Sequence, residues 1–411
     1  MRILHTVESY LPSRHGMQEV VTQLSEKLVS LGHEVTIATS ANANRLSDRI
    51  NGVKIVSFNV SGNMVLGMRG ETDRYQQFLI HSDFDLITNF AAQQWATDLA
   101  LPVLNKITAK KIFVPTGFSA LHLPSYKSYF EKMKDWMKSY DANIFLAQNY
   151  RDINFAKENN VPSIEIIPNG ADEKEFAGTD FIDIRKQLKL QENSKLILTV
   201  GNHTGYKGHR EAIEIFRRAN ISNSALLIIG KVTTGGAPII NLGKSLINLV
   251  GLKKTNCSLT CKIKAARFNA LNQGKSILVE EMDRTATINA FTQADLFLFP
   301  SLLECSPIVL FEALAATTPF LVGDVGNAKE IIEWTGGGEM LPTTIDRYGF
   351  SHVRIKESAA ILARMMNNKT AIANYSHAGN KAFIEKFTWA RIAARYEELY
   401  FNLLKSKEVA Q

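Results

Sequence analysis

The sequence predicts an α/β fold built from two doubly wound domains in tandem, and three observations carry that prediction. Short apolar runs alternate with helical apolar periodicity from the first residues onward. The alternation lapses in a polar stretch after Asn169-Gly170, and a second alternating series starts near Leu196. At 411 residues, 45% of them hydrophobic, the chain can also fill two cores, because single cores stop growing beyond about 250–300 residues.

In the first series residues 2–7 read as a strand, 17–31 as a helix closed by Gly32, and 34–39 as the next strand, a βαβ opening. Strand candidates at 53–58, 86–89, 111–114, 143–146 and 164–167 follow, as expected for a largely parallel sheet covered on both faces. The turn signal Asn169-Gly170 closes this domain at residue 170. The second domain, 171–387, carries strands at 196–200, 225–229, 276–279, 296–299 and 320–322, with helices near 208–219, 284–293, 307–316 and 328–333. Open α/β sheets bind ligands beyond the carboxyl ends of their strands, so two such domains face to face create a cleft.

Three cysteines, two of them in Cys257-Ser-Leu-Thr-Cys261, give neither a disulfide framework nor a four-ligand zinc set, and a reducing compartment is expected. With no His or Cys partner close by in the sequence, Cys257 and Cys261 read as small packing residues. The first residues lack a signal-peptide apolar core and no run of about 18 apolar residues occurs, so the expectation is a cytoplasmic protein without a membrane span. A net charge of +7 is spread too thinly to demand nucleic acid.

Chemistry concentrates in Pro300-Ser-Leu-Leu-Glu304-Cys305-Ser306-Pro307-Ile308-Val309-Leu-Phe-Glu312. Ser306 suits an N-cap and Pro307 a first helical residue, leaving the amides of Ile308 to Leu310 to face an anion. Glu304 precedes that helix and Glu312 rides its second turn as the one charge in an apolar run, where a carboxylate needs a donor. Gly201-Asn202-His-Thr-Gly205-Tyr-Lys207-Gly208 follows a strand and opens a helix, a phosphate-cradle pattern without the spacing of the familiar glycine motifs. A loop after the first strand ends in His15-Gly16, where Gly16 allows backbone to approach a ligand. From Tyr126 to Lys138, aromatic and Met residues at helical spacing face four lysines. That pattern fits either core packing or docking on an anionic membrane surface, each nearby Lys adding about 1 kcal/mol. A second basic stretch, 244–275, reads as an insertion.

Placed in order, these residues resemble the retaining glycosyltransferases of family 4, which have the GT-B fold of two Rossmann-like domains facing across a cleft. The carboxylate motif is the strongest match. The resemblance implies that Glu312 grips the nucleotide ribose and that Glu304 lies beside the donor sugar with the amides of Ser306 to Val309. It implies that Lys207 binds the diphosphate, that Arg284 sits near the base pocket, and that residues 388–405 form a terminal helix crossing back onto the first domain. The implied reaction transfers a sugar from a nucleoside diphosphate sugar to a surface glycan or glycolipid, as in polysaccharide or lipopolysaccharide biosynthesis, with retention. Neither metal nor cofactor is expected, and the place of action is the cytoplasm or the inner face of the plasma membrane. Three departures stand out. His15 replaces the first of two usual glycines, Asn202-His203-Thr204 replaces an arginine before the lysine, and Pro115-Thr116-Gly117-Phe118 stands where many members have a histidine, with His122 the nearest imidazole. A sugar-nucleotide epimerase on a similar scaffold and a degenerate nucleotide-sugar-binding protein are the alternative readings.

Overall fold

The computed structural model describes residues 1–12, 16–178, 181–191, 193–232, 257–272 and 274–408. Two compact units emerge, Met1–Gly170 with Phe387–Gln411, and Ala171–Lys386.

The first unit is built on β1 (Arg2–Thr6), β2 (Glu34–Ser40), β3 (Arg49–Ile50), β4 (Val53–Phe58), β5 (Val60–Asn63), β6 (Gly67–Gly70), β7 (Leu86–Phe90), β8 (Lys110–Val114), β9 (Ala142–Phe145) and β10 (Ile164–Ile166). Its main sheet has the order β10-β9-β8-β7-β1-β2-β4-β3. Every pairing there is parallel except β3 with β4, and β5 and β6 form a separate antiparallel hairpin. Helices on both faces bury the central strands completely, which is why β7 and β9 are buried at every residue. The helix Trp389–Glu408 belongs to this unit. Its Tyr400 hydroxyl lies 2.7 Å from Thr88 Oγ1 and 3.3 Å from His5 Nε2, while His5 Nδ1 lies 2.8 Å from Ser25 Oγ. Burial pushes the His5 imidazole down to about 3, so it stays neutral inside the unit.

The helix Lys127–Lys138 decides between the two readings of its apolar stripe. Tyr129, Phe130, Met133 and Met137 are buried in a cluster with Phe113, Phe118, Phe145 and Phe155. The aromatic stripe is therefore core, and an anionic membrane would meet only lysines such as Lys127, Lys132 and Lys138 rather than an apolar face. No described helix is long and apolar enough to cross a membrane.

After β8 the backbone takes positive φ at three consecutive residues, Thr116 at 59°, Gly117 at 104° and Phe118 at 43°. Such a run persists only when its surroundings over-determine it. Here the Gly117 N–H donates to Asp152 Oδ2 at 2.8 Å and the Phe118 ring packs edge-on against Phe130 and Phe155.

The second unit contains β11 (Lys195–Val200), β12 (Ser224–Ile229), β13 (Lys275–Glu280), β14 (Leu296–Phe299), β15 (Phe320–Val322), β16 (Gly338–Met340), and a hairpin of β17 (Thr343–Ile345) and β18 (Ser351–Val353). Its six-stranded sheet is wholly parallel, in the order β13-β12-β11-β14-β15-β16. Helices His209–Arg218, Arg284–Gln293, Ile308–Ala315 and Ala328–Thr335 alternate with these strands, and Ile355–Met366 and Lys369–Lys386 complete the unit. Of the basic stretch 244–275, residues 244–256 lie outside the described residues and Ser258–Leu271 is a helix. Lys275 has a structural task, its Nζ donating to the carbonyls of Phe216 at 2.6 Å and Ala219 at 2.8 Å at the end of the helix that began at His209.

Neighbouring strands β11 and β14 are followed by loops that lie against each other. Gly208, at φ +71°, caps the helix His209–Arg218, and a Cβ placed there would come within 2.0 Å of the Pro300 carbonyl oxygen. Only glycine satisfies both constraints.

Two measurements check these statements. Gly208→Ala should destabilise the second unit by roughly 2–4 kcal/mol in denaturant unfolding, since backbone must shift and a positive φ is strained. Burial pushes the Asp152 carboxyl up to about 6 from 3.8. A carboxyl whose folded value is raised holds its proton more tightly when folded, so its contribution to stability falls as pH climbs from about 4 to 6. Relative to Asp152→Asn, the wild type should lose about 2 kcal/mol of unfolding free energy between pH 4 and pH 7. A pH-independent difference would mean that Asp152 is ionised throughout.

Candidate active site

In the second unit the loops and helices that follow parallel strands carry the charged residues singled out in the sequence. Lys207, on the loop after β11, places Nζ 2.7 Å from Glu304 Oε1 on the loop after β14. The pair is mostly sheltered, at 30% and 11% side-chain exposure, so its attraction is less screened than that of a surface pair. Ser301, fully buried, lies 2.8 Å from the same Glu304 oxygen and 3.0 Å from the Tyr206 carbonyl, so its single proton is shared between the two loops. The Leu302 amide adds a bond to the Tyr206 carbonyl at 2.8 Å, and the Tyr206 ring stacks on Phe350 at 5.6 Å. Gly201 lies under the Lys207 stem, where a Cβ would be 3.0 Å from Lys207 Cγ. Asn202 is half-buried on the same loop.

Glu312 is 5% exposed, and the donor it requires is Arg284. Arg284 opens the helix after β13, whose N-cap Asp283 accepts from the Ala286 amide at 2.8 Å. Its guanidinium forks between Glu312 through Nη1 and Glu175 through Nη2 and Nε. Burial opposes the Arg284 charge, but Glu312 and Glu175 outweigh it and hold the group well above its ordinary value. Glu175 carried no signal in the sequence, and its position in the short helix Glu173–Phe176 becomes meaningful only through this contact.

The helix bearing Glu312 starts one residue later than its sequence suggests. Pro307 is the N-cap and Ile308 the first helical residue, so Ser306 precedes the cap. Prolyl φ of −70° with an extended ψ of 110° makes Pro307 the last residue of the loop. The Leu310 amide is also engaged, donating to the Pro307 carbonyl at 3.1 Å, which leaves the helix start with fewer outward amides than expected. Behind the loop, Gly326 at φ +56° packs so closely that a Cβ would lie 2.3 Å from the Cys305 carbonyl, and the Asn327 amide donates to that carbonyl at 2.9 Å.

In the first unit Gly16 is exposed and opens the helix Gly16–Ser30, while His15 lies outside the described residues. Thr116 and Gly117 occupy the positive-φ run pinned by Asp152, and His122 is exposed on the loop that follows.

Cys257 and Cys261 pack in the core of this unit, as their sequence suggests, but with neighbours that the sequence did not reveal. Cys257 and Cys261 do have histidine partners: His203 from the loop after β11 and His209 from the helix start, all four buried with ligand atoms within 4.8 Å of one another. The partners lie about 50 residues away in sequence, which is why spacing alone missed them. A hydrogen bond from Cys261 and two imidazole neighbours hold the Cys257 thiol well below its ordinary value, and burial lowers the His209 imidazole.

The family described as Glycosyl transferases group 1 matches residues 180–347, and Glycosyltransferase Family 4 matches residues 14–175. An uncharacterised glycosyltransferase of Methanocaldococcus jannaschii is 23% identical over 409 residues, spanning 92% of each chain. Sucrose-phosphate synthase from Thermosynechococcus elongatus superposes with a TM-score of 0.74 at 15% identity, covering 98% of this chain and 99% of its own. Anabaena HepE in complex with UDP-glucose gives 0.69 at 13% identity, covering 98% and 100%. The fold is GT-B, and the chain belongs to the group 1, family 4 glycosyltransferases.

Proposed function

We propose that this glycosyltransferase takes a sugar from a nucleoside diphosphate sugar and passes it, with retention of anomeric configuration, to a surface glycan or glycolipid. The observation that carries the reading is the Lys207–Glu304 pair, held on two stitched loops at the carboxyl ends of adjacent parallel strands. An arriving diphosphate competes with Glu304 for the Lys207 ammonium. Once Lys207 turns to phosphate, Glu304, still held by Ser301, has lone pairs that can accept hydrogen bonds from sugar hydroxyls. Glu312, oriented by Arg284, suits the paired hydroxyls of a ribose. Uridine diphosphate sugars are the first donors to examine, since the Anabaena relative was crystallised with UDP-glucose.

In this scheme the leaving diphosphate gathers negative charge as the sugar bond breaks. Lys207 and the backbone amides near Ser306 meet that charge in fixed positions, which is the form of stabilisation that usually lowers a barrier most. The diphosphate oxygen, leaving on one face, is placed to take the proton of an acceptor hydroxyl attacking on the same face. No divalent ion is assigned to this step, so transfer should proceed without added magnesium or manganese.

Lys207→Ala should lower kcat about 10²–10³-fold with a smaller change in KM, because its charge acts most in the transition state. An unchanged kcat would remove Lys207 from the reaction. Glu312→Ala should weaken nucleotide binding at least about tenfold by calorimetry, about 1.4 kcal/mol. The reaction as a whole is tested with UDP-, GDP- and ADP-sugars and candidate acceptors, following nucleotide release and the product's anomeric configuration by NMR. Release that never depends on acceptor, or an inverted product, would overturn transfer with retention.

A further inference from the structure

His203, His209, Cys257 and Cys261 stand outside the proposed chemistry, yet they form the most complete set of metal-ligating side chains among the described residues. Their exposures are 1%, 1%, 2% and 0%, and they come from three different places: a glycine-rich loop, the first residue of one helix and the first turn of another. His203 Nδ1 lies 3.1 Å from His209 Nδ1 and 3.4 Å from Cys257 Sγ, and Cys257 Sγ lies 3.5 Å from His209 Nδ1. With zinc bonds of about 2.0–2.1 Å to nitrogen and 2.3 Å to sulfur, a tetrahedron has edges of about 3.3 Å between nitrogens and about 3.5 Å between nitrogen and sulfur. The observed separations are close to those edges.

Hydrogen bonding alone leaves the group poorly satisfied. Two ring nitrogens facing each other across 3.1 Å and a shared sulfur cannot all act as donors, and the surroundings are the apolar core that includes Phe216, Phe268 and Ala265. A buried polar cluster set among apolar side chains is costly unless its facing atoms are satisfied together. One divalent ion satisfies the four facing ligand atoms. Two thiolates and two neutral imidazoles leave a zinc complex without net charge, which suits an apolar site.

We propose that these four residues bind one zinc ion in a closed, structural Cys₂His₂ site. Binding displaces the protons of both thiols to solvent and leaves each imidazole its Nε2 proton, with both rings ligating through Nδ1. No fifth position is open, so the ion has no part in transfer. Its role is to clamp the loop that bears Lys207, which lies between His203 and His209 in the sequence, onto the helix Ser258–Leu271.

The test uses the full chain purified under reducing conditions without chelator, and it does not depend on any reaction the protein catalyses. Elemental analysis should find one zinc per chain. After exchange, cobalt(II) should give the intense visible bands and thiolate charge-transfer absorption of a tetrahedral sulfur-ligated ion. Cys261→Ser and His203→Gln should each drop bound zinc to background and lower Tm. Because wild-type zinc content and the cobalt spectrum require no variant to fold, the outcome is decisive in either direction. Folded wild-type protein that holds no zinc and gives no tetrahedral cobalt spectrum would overturn the proposal, as would a Cys257–Cys261 disulfide in its place.

Discussion

The arrangement of charges in the second unit depends on one steric constraint, the contact between Gly208 and the carbonyl of Pro300. A loop cannot approach another backbone this closely unless a residue without Cβ stands at the crossing. Because it does, the Tyr206 carbonyl reaches both Ser301 and the Leu302 amide, and Lys207 is delivered to Glu304 by backbone geometry rather than by its own flexible stem. Lysine alone is a poor positioning device, since its four-carbon chain has many rotamers. Gly201 beneath the stem and Gly208 after it restrict that freedom.

Charge balance around these loops follows a single pattern, in which a sheltered carboxylate is matched by a cation. Glu304 has Lys207, while Glu312 and Glu175 share Arg284. Removing one partner from such a buried pair costs more than the pair itself contributes, because the remaining charge stays desolvated. The two sets differ in what a ligand can do with them. Among the described residues Lys207 is ion-paired with Glu304, and its ammonium is rotatable, so it can exchange an acid for a phosphate. Arg284 is forked between two acids and can only hold Glu312 in place.

Much of this architecture was legible in the residues, and the reasons differ by element. Strands β4, β14 and β15 and the helix Arg284–Gln293 coincide with their sequence-derived limits, because apolar strand runs and capped helices carry strong local signals. The hairpin of β5 and β6 and the pair of β17 and β18 were missed, being short and half-polar. Glu304, Glu312 and Lys207 stand in recognisable motifs, whereas Glu175 and Ser301 acquire meaning only from contacts between distant segments. The lysine-flanked stripe of Lys127–Lys138 had two readings that sequence could not separate, since a core face and a membrane face need the same apolar spacing. The histidine partners of Cys257 and Cys261 were hidden by the long separation that a parallel sheet imposes on neighbouring loops.

The first unit is discontinuous along the chain, and its last helix supplies Tyr400 to the buried group formed with Thr88 and His5. A ribosome therefore completes the second unit, which is uninterrupted, before the final piece of the first has been synthesised. Until then the face that awaits Trp389–Glu408 is bare, with the neutral imidazole of His5 beneath it. Closure of the first unit around His5 therefore waits on residues translated after the whole of the second unit.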